Sequence, residues 1–429
     1  MEQLSGWLTA SEAAERLGVK PATLYAYVSR GVLARRRSPE GQSLFDPAEV
    51  ERLARRGRPR RAPNASEVVI ESGITALGPD RPFYRGRDAL ELAASASFEA
   101  VAEGLWTGDF AAGPQAWRAS EAALRAGRAA SAALPPNVLL LDRIQAIVPA
   151  LAATDPLRGN LDPSAVVAVG HTLVAGIVDC LPPRLGDESG AHNESSARGS
   201  NLRLAVGSGT GGPGPLGDGP ADGSIAARLG WRLGAENRFI DGVRAALVLL
   251  ADHELAASTL AARVAASVRA DPYAVVATGL ATVSGALHGG ASLGAEALLD
   301  AIADPADADA AIGLRLRRGE RIPGFGHAVY KSGDGRAGAL LNRISALAPD
   351  HPVLAKADAL LDAARRRRLP EPNIDFALAT LTRAAGLPTG AGEAIFAIAR
   401  IAGWLAHAME EYERRTPLRL RAVYIGPTG

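Results

Sequence analysis

Apolar residues recur at helical spacing through most of this chain, and glycine, proline and short polar runs separate one periodic segment from the next. A strand is predicted at Val68–Ile74. Downstream of that strand, the pattern predicts helices over 87–104, 114–131, 137–152, 162–178, 225–234, 240–251, 256–269, 272–286, 291–303, 336–347, 350–368, 374–385 and 389–415. The body of the protein is therefore predicted to be all-α.

Residues 182–224 interrupt this pattern with a stretch rich in Gly, Pro, Ser and Asp. So few apolar residues cannot bury enough surface to offset the entropy lost on ordering, which predicts a flexible insertion. Within it, Gly207–Gly212 matches the glycine spacing of a dinucleotide-binding turn. The prolines that follow exclude the helix that such a turn must begin, so we reject a nucleotide site there.

The first 54 residues carry a different pattern, of short helices and sharp turns. Thr9 or Ser11 can cap a helix that runs to Leu17, and Pro21 suits the first turn of a second helix. Residues 1–62 hold 12 Lys and Arg against 7 Asp and Glu, or +5, whereas the remaining residues hold 35 against 39, or −4. A basic N-terminal segment followed by a slightly acidic remainder of the chain indicates two separate functions.

The segment Leu8–Leu33 resembles the helix-turn-helix of excisionase-like and MerR-like DNA-binding domains. The resemblance implies a DNA-reading helix at Pro21–Arg30 and a wing at Arg35–Phe45. Candidate DNA contacts are Thr23, Tyr25, Ser29 and Arg30, with Arg35, Arg36 and Arg37 on phosphates. The alternative is a small helical protein–protein module with a solvated basic face. The basic linker that follows, 55–66, either lies along phosphate or acts as a solubilising hinge.

Composition excludes several other classes of protein. The single cysteine, Cys180, excludes a disulfide framework and fits a reducing, cytoplasmic setting. We find no signal peptide and no uninterrupted apolar run of about 18 residues, so no membrane partner is expected. Histidine and acidic residues do not recur at metal-ligand spacings, so no metal is expected either.

Three short segments late in the chain each place one titratable side chain beside glycine, proline or a small polar residue. They are Gly285–Ala291, which contains His288, Pro323–His327 and Pro372–Asp375. Glycine lets the backbone approach a ligand closely or adopt positive φ, which is typical of a site rather than a core. Two imidazoles and a carboxylate can remove a proton beside a carbonyl group and stabilise the charge that develops.

Taken in order, these segments and their neighbours resemble the citrate synthase family from about Ser72 to the end, apart from 182–224. The matching motifs are Phe-Tyr-Arg-Gly-Arg-Asp at 83–88, Ala-Asp-His-Glu-Leu at 251–255, Gly-Ala-Leu-His-Gly-Gly-Ala at 285–291, Pro-Gly-Phe-Gly-His-Ala-Val-Tyr-Lys at 323–331, Pro-Asn-Ile-Asp at 372–375 and Leu-Arg-Leu-Arg at 418–421. The resemblance implies an all-α fold with a large helical domain at 67–287 and 389–429 and a small one at 288–388. A small winged helix-turn-helix domain at 1–54 precedes them.

The resemblance also implies a reaction, the condensation of acetyl-CoA with oxaloacetate to citrate and free CoA, as in the tricarboxylic acid cycle. Asp375 would remove a proton from the acetyl methyl group, and His288 would donate a hydrogen bond to the thioester oxygen. His327 would polarise the ketone of oxaloacetate and protonate the new alkoxide. The CoA thioester is a substrate, and no cofactor is expected.

Oxaloacetate is a dianion, and guanidinium groups bind carboxylates in bidentate fashion. The resemblance assigns this clamp to Arg336, Arg400 and Arg419, with His253 assisting. It further implies a homodimer in which Arg419 reaches the site of the other subunit. It places Arg365, Arg366, Arg367 and Arg368 on the phosphates of coenzyme A, although such a run is otherwise a solvated helix face.

Several alternatives remain open from the sequence. A DNA-binding regulator whose body senses a metabolite fits the basic head, and 2-methylcitrate synthase also fits, because one methyl group is worth only about 1–3 kcal/mol of discrimination. Asp375 could instead cap a helix. We expect structural roles for His171, His192, His351 and His407. Departures from many bacterial members occur at three places in the chain, since those members have Asn at Ala256, Pro at Ala286 and Ser-Gly-like small residues at Leu378-Ala379.

Overall fold

The computed structural model describes residues 7–17, 19, 21–29, 32–38, 41–55, 70–111, 116–182 and 223–419. The chain divides into two compact units, Met1–Glu71 and Ser72–Gly429, which we call the head and the body. Most of the insertion predicted at 182–224 and most of the linker predicted at 55–66 lie outside the described residues. The division of the body into large and small domains stays a prediction.

The head folds as a helix-turn-helix followed by a β-hairpin and a third helix. Its elements are β1 Leu8–Thr9, α1 Ala10–Arg16, α2 Pro21–Ser29, β2 Arg36–Arg37, β3 Ser43–Phe45 and α3 Pro47–Arg55. Thr9 caps α1 through a reciprocal capping box with Glu12, as the capping pattern predicts. The strands form an antiparallel sheet in the order β1-β3-β2. Helix α3, which the sequence did not predict, buries Val50 in the core of the head.

The body is helical, with one small antiparallel sheet at its start. That sheet comprises β4 Thr75–Leu77, β5 Pro82–Tyr84 and β6 Arg87–Asp88. The helices are α4 Ala89–Ser95, α5 Phe98–Thr107, α6 Glu121–Ala132, α7 Leu140–Ala152, α8 Pro163–Cys180, α9 Ile225–Leu233, α10 Ile240–Leu250, α11 Ala257–Ser267, α12 Pro272–Val283, α13 Ala291–Asp300, α14 Ala308–Arg317, α15 Gly335–Leu347, α16 Pro352–Arg366, α17 Ile374–Ala384 and α18 Ala391–Arg414. The all-α prediction is confirmed.

Three local predictions were wrong, each for a physical reason. The helix predicted at 87–104 is two helices, because the side chains of Asp88 and Ser97 each cap a new start and Ala96 between them is extended. The strand predicted at Val68–Ile74 is absent from its described part, residues 70–74, and β4 begins only at Thr75. Helix α14 was missed, since its charged residues hide its apolar spacing.

Helix α18 passes through the core of the body and is buried along most of its length. The backbone N–H of Gly403 on α18 donates to the carbonyl of Ala251 at 2.9 Å, an approach that a side chain at 403 would block. Helix α8 has a mean hydropathy of 1.5 and is long enough to cross a bilayer, and 56% of it is buried inside the body. The contact at Gly403 brings α18 beside the loop that follows α10, where His253 lies.

Candidate active site

The segment before His327 is hydrogen-bonded to the segment before Asp375. The N–H of Asn373 donates to the carbonyl of Gly324 at 2.9 Å, and the N–H of Gly326 donates to the carbonyl of Glu371 at 2.8 Å. Gly324 and Gly326 have φ of +81° and +83°, a conformation that glycine adopts at little cost. These bonds hold two of the three glycine- and proline-framed segments together.

His327 is held in one tautomer by its own loop. Its Nδ1 accepts hydrogen bonds from the backbone N–H groups of Val329 at 3.0 Å and Tyr330 at 3.2 Å. Two donors on Nδ1 require that the imidazole proton sits on Nε2. Burial lowers the pKa of His327 to about 4, and the nearby charge of Arg336 acts in the same direction. The side chain is therefore a neutral hydrogen-bond donor at neutral pH.

His288 lies in the turn between α12 and α13, and its Nε2 is 2.8 Å from Ser258 Oγ on α11. Trp404 Nε1 donates to the same oxygen at 3.3 Å, so Ser258 keeps its own proton for His288. This arrangement favours a proton on Nδ1 of the imidazole. Burial lowers the pKa of His288 to about 4, with Arg400 contributing in the same direction.

Asp375 is the second residue of α17, and its carboxylate is not the cap of that helix. The cap is Asn373, whose side-chain oxygen accepts from the N–H of Asp375 at 3.0 Å. In the described part of the chain, no hydrogen-bond donor contacts the Asp375 carboxylate. Burial raises the pKa of Asp375 to about 7, against the opposing effects of Arg336 and Arg400. Such a carboxylate is a stronger base than an exposed one.

Two buried arginines lie within electrostatic reach of these groups. Arg336 forms a bidentate pair with Asp334, with Nε–Oδ1 at 2.9 Å and Nη2–Oδ2 at 2.8 Å. Arg400 donates from Nε to the carbonyl of Leu250 at 2.9 Å, and burial lowers its pKa to about 10. No described residue accepts from its two terminal nitrogens, which leaves them available for an anion.

His253 completes the cluster beside His327, with ring centroids 5.2 Å apart. It is buried, and that burial holds its pKa well below the usual range, with Arg336 and Arg400 adding to the effect. The next residue, Glu254, has φ of +52°, a strained conformation of the kind that concentrates at functional sites. The structure thus brings together the predicted residues His253, His288, His327, Arg336, Asp375 and Arg400.

A cavity of about 540 Å³ opens beside His327. Its lining is mainly apolar, with Phe325, Leu316 and Leu369 among its walls, and its charged residues are Glu320, Arg321 and Lys331. Lys331 Nζ also donates to the backbone carbonyl of His327 at 3.3 Å. The cavity can therefore accept a molecule with apolar and anionic parts beside His327.

Five predicted binding residues do not join this cluster. Arg419 is exposed near the end of the described chain. Arg365 pairs with Asp362 at 2.6 Å, and Arg367 donates to Asp309 at 2.6 Å, so both are engaged within the body. None of the run Arg365, Arg366, Arg367 and Arg368 lines the cavity beside His327, although Leu369 and Pro370 do. Their roles stay predictions.

The remaining histidines occupy different surroundings. His407 is buried between Asp252 and Arg263, with Nε2 3.2 Å from Asp252 Oδ2 and Nδ1 2.7 Å from Arg263 Nη1. His171 is hydrogen-bonded to Glu103 and stacked on Trp117. His351 caps α16 by accepting from the N–H of Val353. His192 lies outside the described residues.

The three departures from the family pattern have identifiable surroundings. Ala256 stands at the start of α11 and provides no side-chain cap. Ala286 is exposed in the turn that carries His288, and Leu378 and Ala379 are fully buried in α17.

The predicted DNA contacts of the head are mostly exposed. Thr23 and Tyr25 lie on α2, and the side chain of Tyr25 is 41% exposed. Arg35, Arg36 and Arg37 are exposed along the hairpin, where the guanidinium of Arg36 lies 5.1 Å above the Trp7 ring. Ser29 is exposed at the end of α2, and Arg30 lies outside the described residues.

Sequence reasoning missed the residues that hold the site residues in place. Asp334 caps α15, pairs with Arg336 and accepts from the N–H of Ile374 at 3.1 Å. The sequence carried one signal for Asp334: it stands directly before Gly335 and Arg336, where the periodic segment begins, and an Asp in that place is a frequent helix N-cap. Ser258 carried no signal, since its partner His288 is 30 residues away in the chain.

Comparison with known families gives two matches. The C-terminal domain of citrate synthase matches residues 65–421, and a helix-turn-helix domain matches residues 7–58. Together these matches span both units of the chain.

Individual relatives agree with the family match. Citrate synthase 2 of Bacillus subtilis is 36% identical over 44% of this chain, and the alignment spans only about half of that relative, 51%. 2-Methylcitrate synthase 1 of Corynebacterium glutamicum is 29% identical over 80% of this chain and 88% of the relative.

Solved structures show the same fold. Citrate synthase from Thermoplasma acidophilum, solved as a ternary complex with carboxymethyl coenzyme A and oxaloacetate, matches with a TM-score of 0.64 and 26% identity over 85% of this chain and 96% of that one. Citrate synthase from Pyrobaculum aerophilum matches with a TM-score of 0.64 and 23% identity over 92% of this chain and 95% of the other, which bears on the fold alone.

Proposed function

The chain belongs to the citrate synthase family, and on that basis we propose that it condenses acetyl-CoA with oxaloacetate to give citrate and free CoA. One observation carries the proposal. The carboxylate of Asp375 is half-buried, and this burial raises its pKa to about 7. It shares the candidate site with two neutral imidazoles, those of His288 and His327. Proton removal beside a thioester needs this combination of a base and hydrogen-bond donors.

In the proposed first step, Asp375 takes a proton from the methyl group of the thioester. His288 donates a hydrogen bond from Nδ1 to the thioester oxygen, on which the negative charge of the enolate develops. A neutral donor suits this step because it stabilises the enolate without fully protonating it. Preorganised donors of this kind are typically worth about 10²–10³-fold in rate.

In the second step, the enolate carbon attacks the ketone carbon of oxaloacetate, and the carbonyl electrons move to oxygen. His327 donates from Nε2 to that oxygen and delivers its proton to the alkoxide, and the proton that Asp375 removed then returns by way of water to the imidazole, which restores both groups. The tautomer fixed by Val329 and Tyr330 supports this role. Hydrolysis of the resulting citryl thioester by water releases citrate and CoA.

We assign the carboxylates of oxaloacetate to Arg336 and Arg400, with His253 beside them. The terminal nitrogens of Arg400, which have no acceptor in the described part of the chain, support this assignment. Arg419 would complete the clamp from the other subunit of a homodimer, as the family resemblance implies.

We place the acyl-CoA in the cavity beside His327, where Arg321 and Lys331 provide cationic groups for its phosphates. Arg365, Arg366, Arg367 and Arg368 would then contact the more distant phosphates, beyond Leu369 and Pro370.

The identity of the acyl donor is decided by experiment. Release of free thiol by the purified protein is measured with oxaloacetate and either acetyl-CoA or propionyl-CoA. We expect release with acetyl-CoA, and its loss in Asp375→Asn. Faster release with propionyl-CoA would instead support 2-methylcitrate synthesis, which the Corynebacterium relatives make the natural alternative. Absence of release with both thioesters would refute the enzymatic proposal.

A second function, DNA binding by the head, is favoured by the helix-turn-helix match and by the exposed arginines of the hairpin. In this proposal the body also acts as a sensor of oxaloacetate. We expect Arg30→Ala with Arg36→Ala to weaken DNA binding in gel shifts, to lower its dependence on salt, and to leave turnover intact. An unchanged gel shift would rule out the assigned DNA contacts.

A further inference from the structure

The side chain of Tyr330 contacts three of the residues assigned to oxaloacetate. Its ring stacks on His327, with centroids 4.6 Å apart and planes 22° apart. The ring of His253 meets it edge-on at 5.3 Å, and the guanidinium of Arg336 lies 5.4 Å from its centroid. Tyr330 is only 2% exposed, so it belongs to the wall of the site and not to its rim.

The hydroxyl of Tyr330 is buried, and no described residue forms a hydrogen bond with it. The other buried tyrosines that the structure describes in the body have such partners: Tyr84 donates to the carbonyl of Val248 at 3.1 Å, Tyr412 to the carbonyl of Ala270 at 2.7 Å and Tyr273 to Asp155 at 2.9 Å. An unpaired buried hydroxyl is costly and needs an explanation. His253 Nε2, on the adjacent ring, also lacks a partner in the described structure.

The hydroxyl oxygen of Tyr330 and Nε2 of His253 lie on neighbouring rings, close to Arg336 and Arg400. An anionic substrate bound there would supply the hydrogen-bond partners that these two atoms lack. Arg336 already gives Nε and Nη2 to Asp334, which limits the hydrogen bonds that it can offer. Oxaloacetate carries five oxygens, so the clamp needs further donors. A tyrosine hydroxyl supplies a directional hydrogen bond to a carboxylate without adding another charge.

We infer that Tyr330 binds oxaloacetate, with its hydroxyl donating to an oxygen of the dianion while its ring holds the imidazole of His327 in place. This inference rests on the proposed function. It adds a fifth residue, and a hydroxyl donor, to the set of Arg336, Arg400, Arg419 and His253 assigned to oxaloacetate. The hydroxyl and the ring have separable roles, because phenylalanine keeps the ring and removes only the hydroxyl.

The test is the Kd of oxaloacetate, measured by calorimetry on the full-length protein without any CoA thioester. For Tyr330→Phe we expect a rise in Kd of about 10- to 100-fold, the range for a hydrogen bond to a charged group. The Tm of the ligand-free variant should be unchanged or higher, because the substitution removes a hydroxyl that has no partner among the described residues.

Tyr412→Phe is the matched control, since it removes the hydroxyl of a buried tyrosine that has a hydrogen-bond partner. It should lower the Tm and leave the Kd of oxaloacetate unchanged. The two substitutions therefore give opposite signatures, which a purely structural role for Tyr330 would not produce.

Two results would overturn the inference while leaving the proposed function standing. One is a Kd in Tyr330→Phe within twofold of the wild-type value. The other is a fall in the Tm of ligand-free Tyr330→Phe as large as that of Tyr412→Phe, which would mean that the hydroxyl already has a partner in the protein. A wild-type protein that does not bind oxaloacetate would instead refute the proposed function, and the inference with it.

Discussion

The carbonyl of Gly324 accepts a hydrogen bond from the backbone N–H of Asn373 at 2.9 Å. This bond joins the loop that ends at His327 to the first turn of α17, which carries Asp375. The proposed acid and the proposed base are thus positioned by one short backbone pairing. The distance between them depends on how closely Gly324 approaches the start of α17.

Substituting Gly324 by alanine should therefore damage the site strongly. Its φ of +81° disfavours any side chain, and a Cβ there would lie 2.8 Å from the Cβ of Phe376. We expect a loss of at least about 10²-fold in kcat, because small displacements of catalytic groups have large effects on rate. Steady-state assays of thiol release measure it.

The control for this substitution is Gly234→Ala. Gly234 has the same φ, +81°, but an added Cβ would meet no heavy atom within 4 Å. It should cost only about 1 kcal/mol of stability and leave kcat intact. Equal activity losses in both variants would show that alanine at positive φ lowers activity by destabilising the fold, and not by the contact with Phe376.

The pH–rate profile should show a single ionisation, that of Asp375. The carboxylate must be ionised to accept a proton, and its pKa is raised to about 7. The value of kcat/KM should therefore rise with pH up to about 7 and level off above it. His288 and His327, with pKa values of about 4, remain neutral across this range and add no second limb. A profile that is flat between pH 5 and 8 would contradict the raised pKa of Asp375.

The sequence predicted which residues lie together in the candidate site, but not what holds them there. His253, His288, His327, Arg336, Asp375 and Arg400 were identifiable because each lies in a short motif. The loop conformation that lets Gly324 pair with Asn373 was also predictable, since glycine at 324 and 326 favours positive φ there. By contrast, the contact of Ser258 with His288 depends on how α11 packs against the turn after α12, and no local pattern encodes such packing.

The helix predicted at 87–104 illustrates a different limit. Apolar spacing continues through Ala96, so periodicity alone cannot show that the chain is extended there. Only the two capping residues, Asp88 and Ser97, mark the break. Capping signals are local and weak, and they compete poorly with a long apolar pattern.

The raised pKa of Asp375 also has a consequence for stability. An unfolded aspartate titrates near 3.9 and the folded one near 7, so the folded protein binds more protons between these values. Stability therefore falls as the pH rises from about 4 to 7, and the ionised carboxylate destabilises the fold at pH 8. Asp375→Asn removes this cost and should raise the free energy of unfolding by about 2–4 kcal/mol at pH 8.

That gain should disappear near pH 4, where the wild-type carboxyl is already neutral. Thermal melts at pH 8 and pH 4 provide the comparison. Asp350→Asn, at an exposed position after α15, is the control and should change neither melt. A substituted protein that is no more stable at pH 8 would indicate that Asp375 is stabilised as the ion, with an ordinary pKa.

The start of α11 offers a substitution that should stabilise the protein. Ala256 occupies the N-cap position, with φ −56° and ψ 158°, and has no side-chain oxygen to accept from the first turn. Asparagine there, as in many family members, should accept one of the unpaired N–H groups and add about 0.5–2 kcal/mol to the free energy of unfolding. Ser258, the hydrogen-bond partner of His288, lies in the first turn of α11. A capped N-terminus of α11 should therefore also restrict the position of Ser258. Ala256→Val, whose side chain has no hydrogen-bond acceptor, is the matched control, and thermal melts provide the comparison. If the asparagine variant is no more stable than the valine variant, water already satisfies the N–H groups at this helix end.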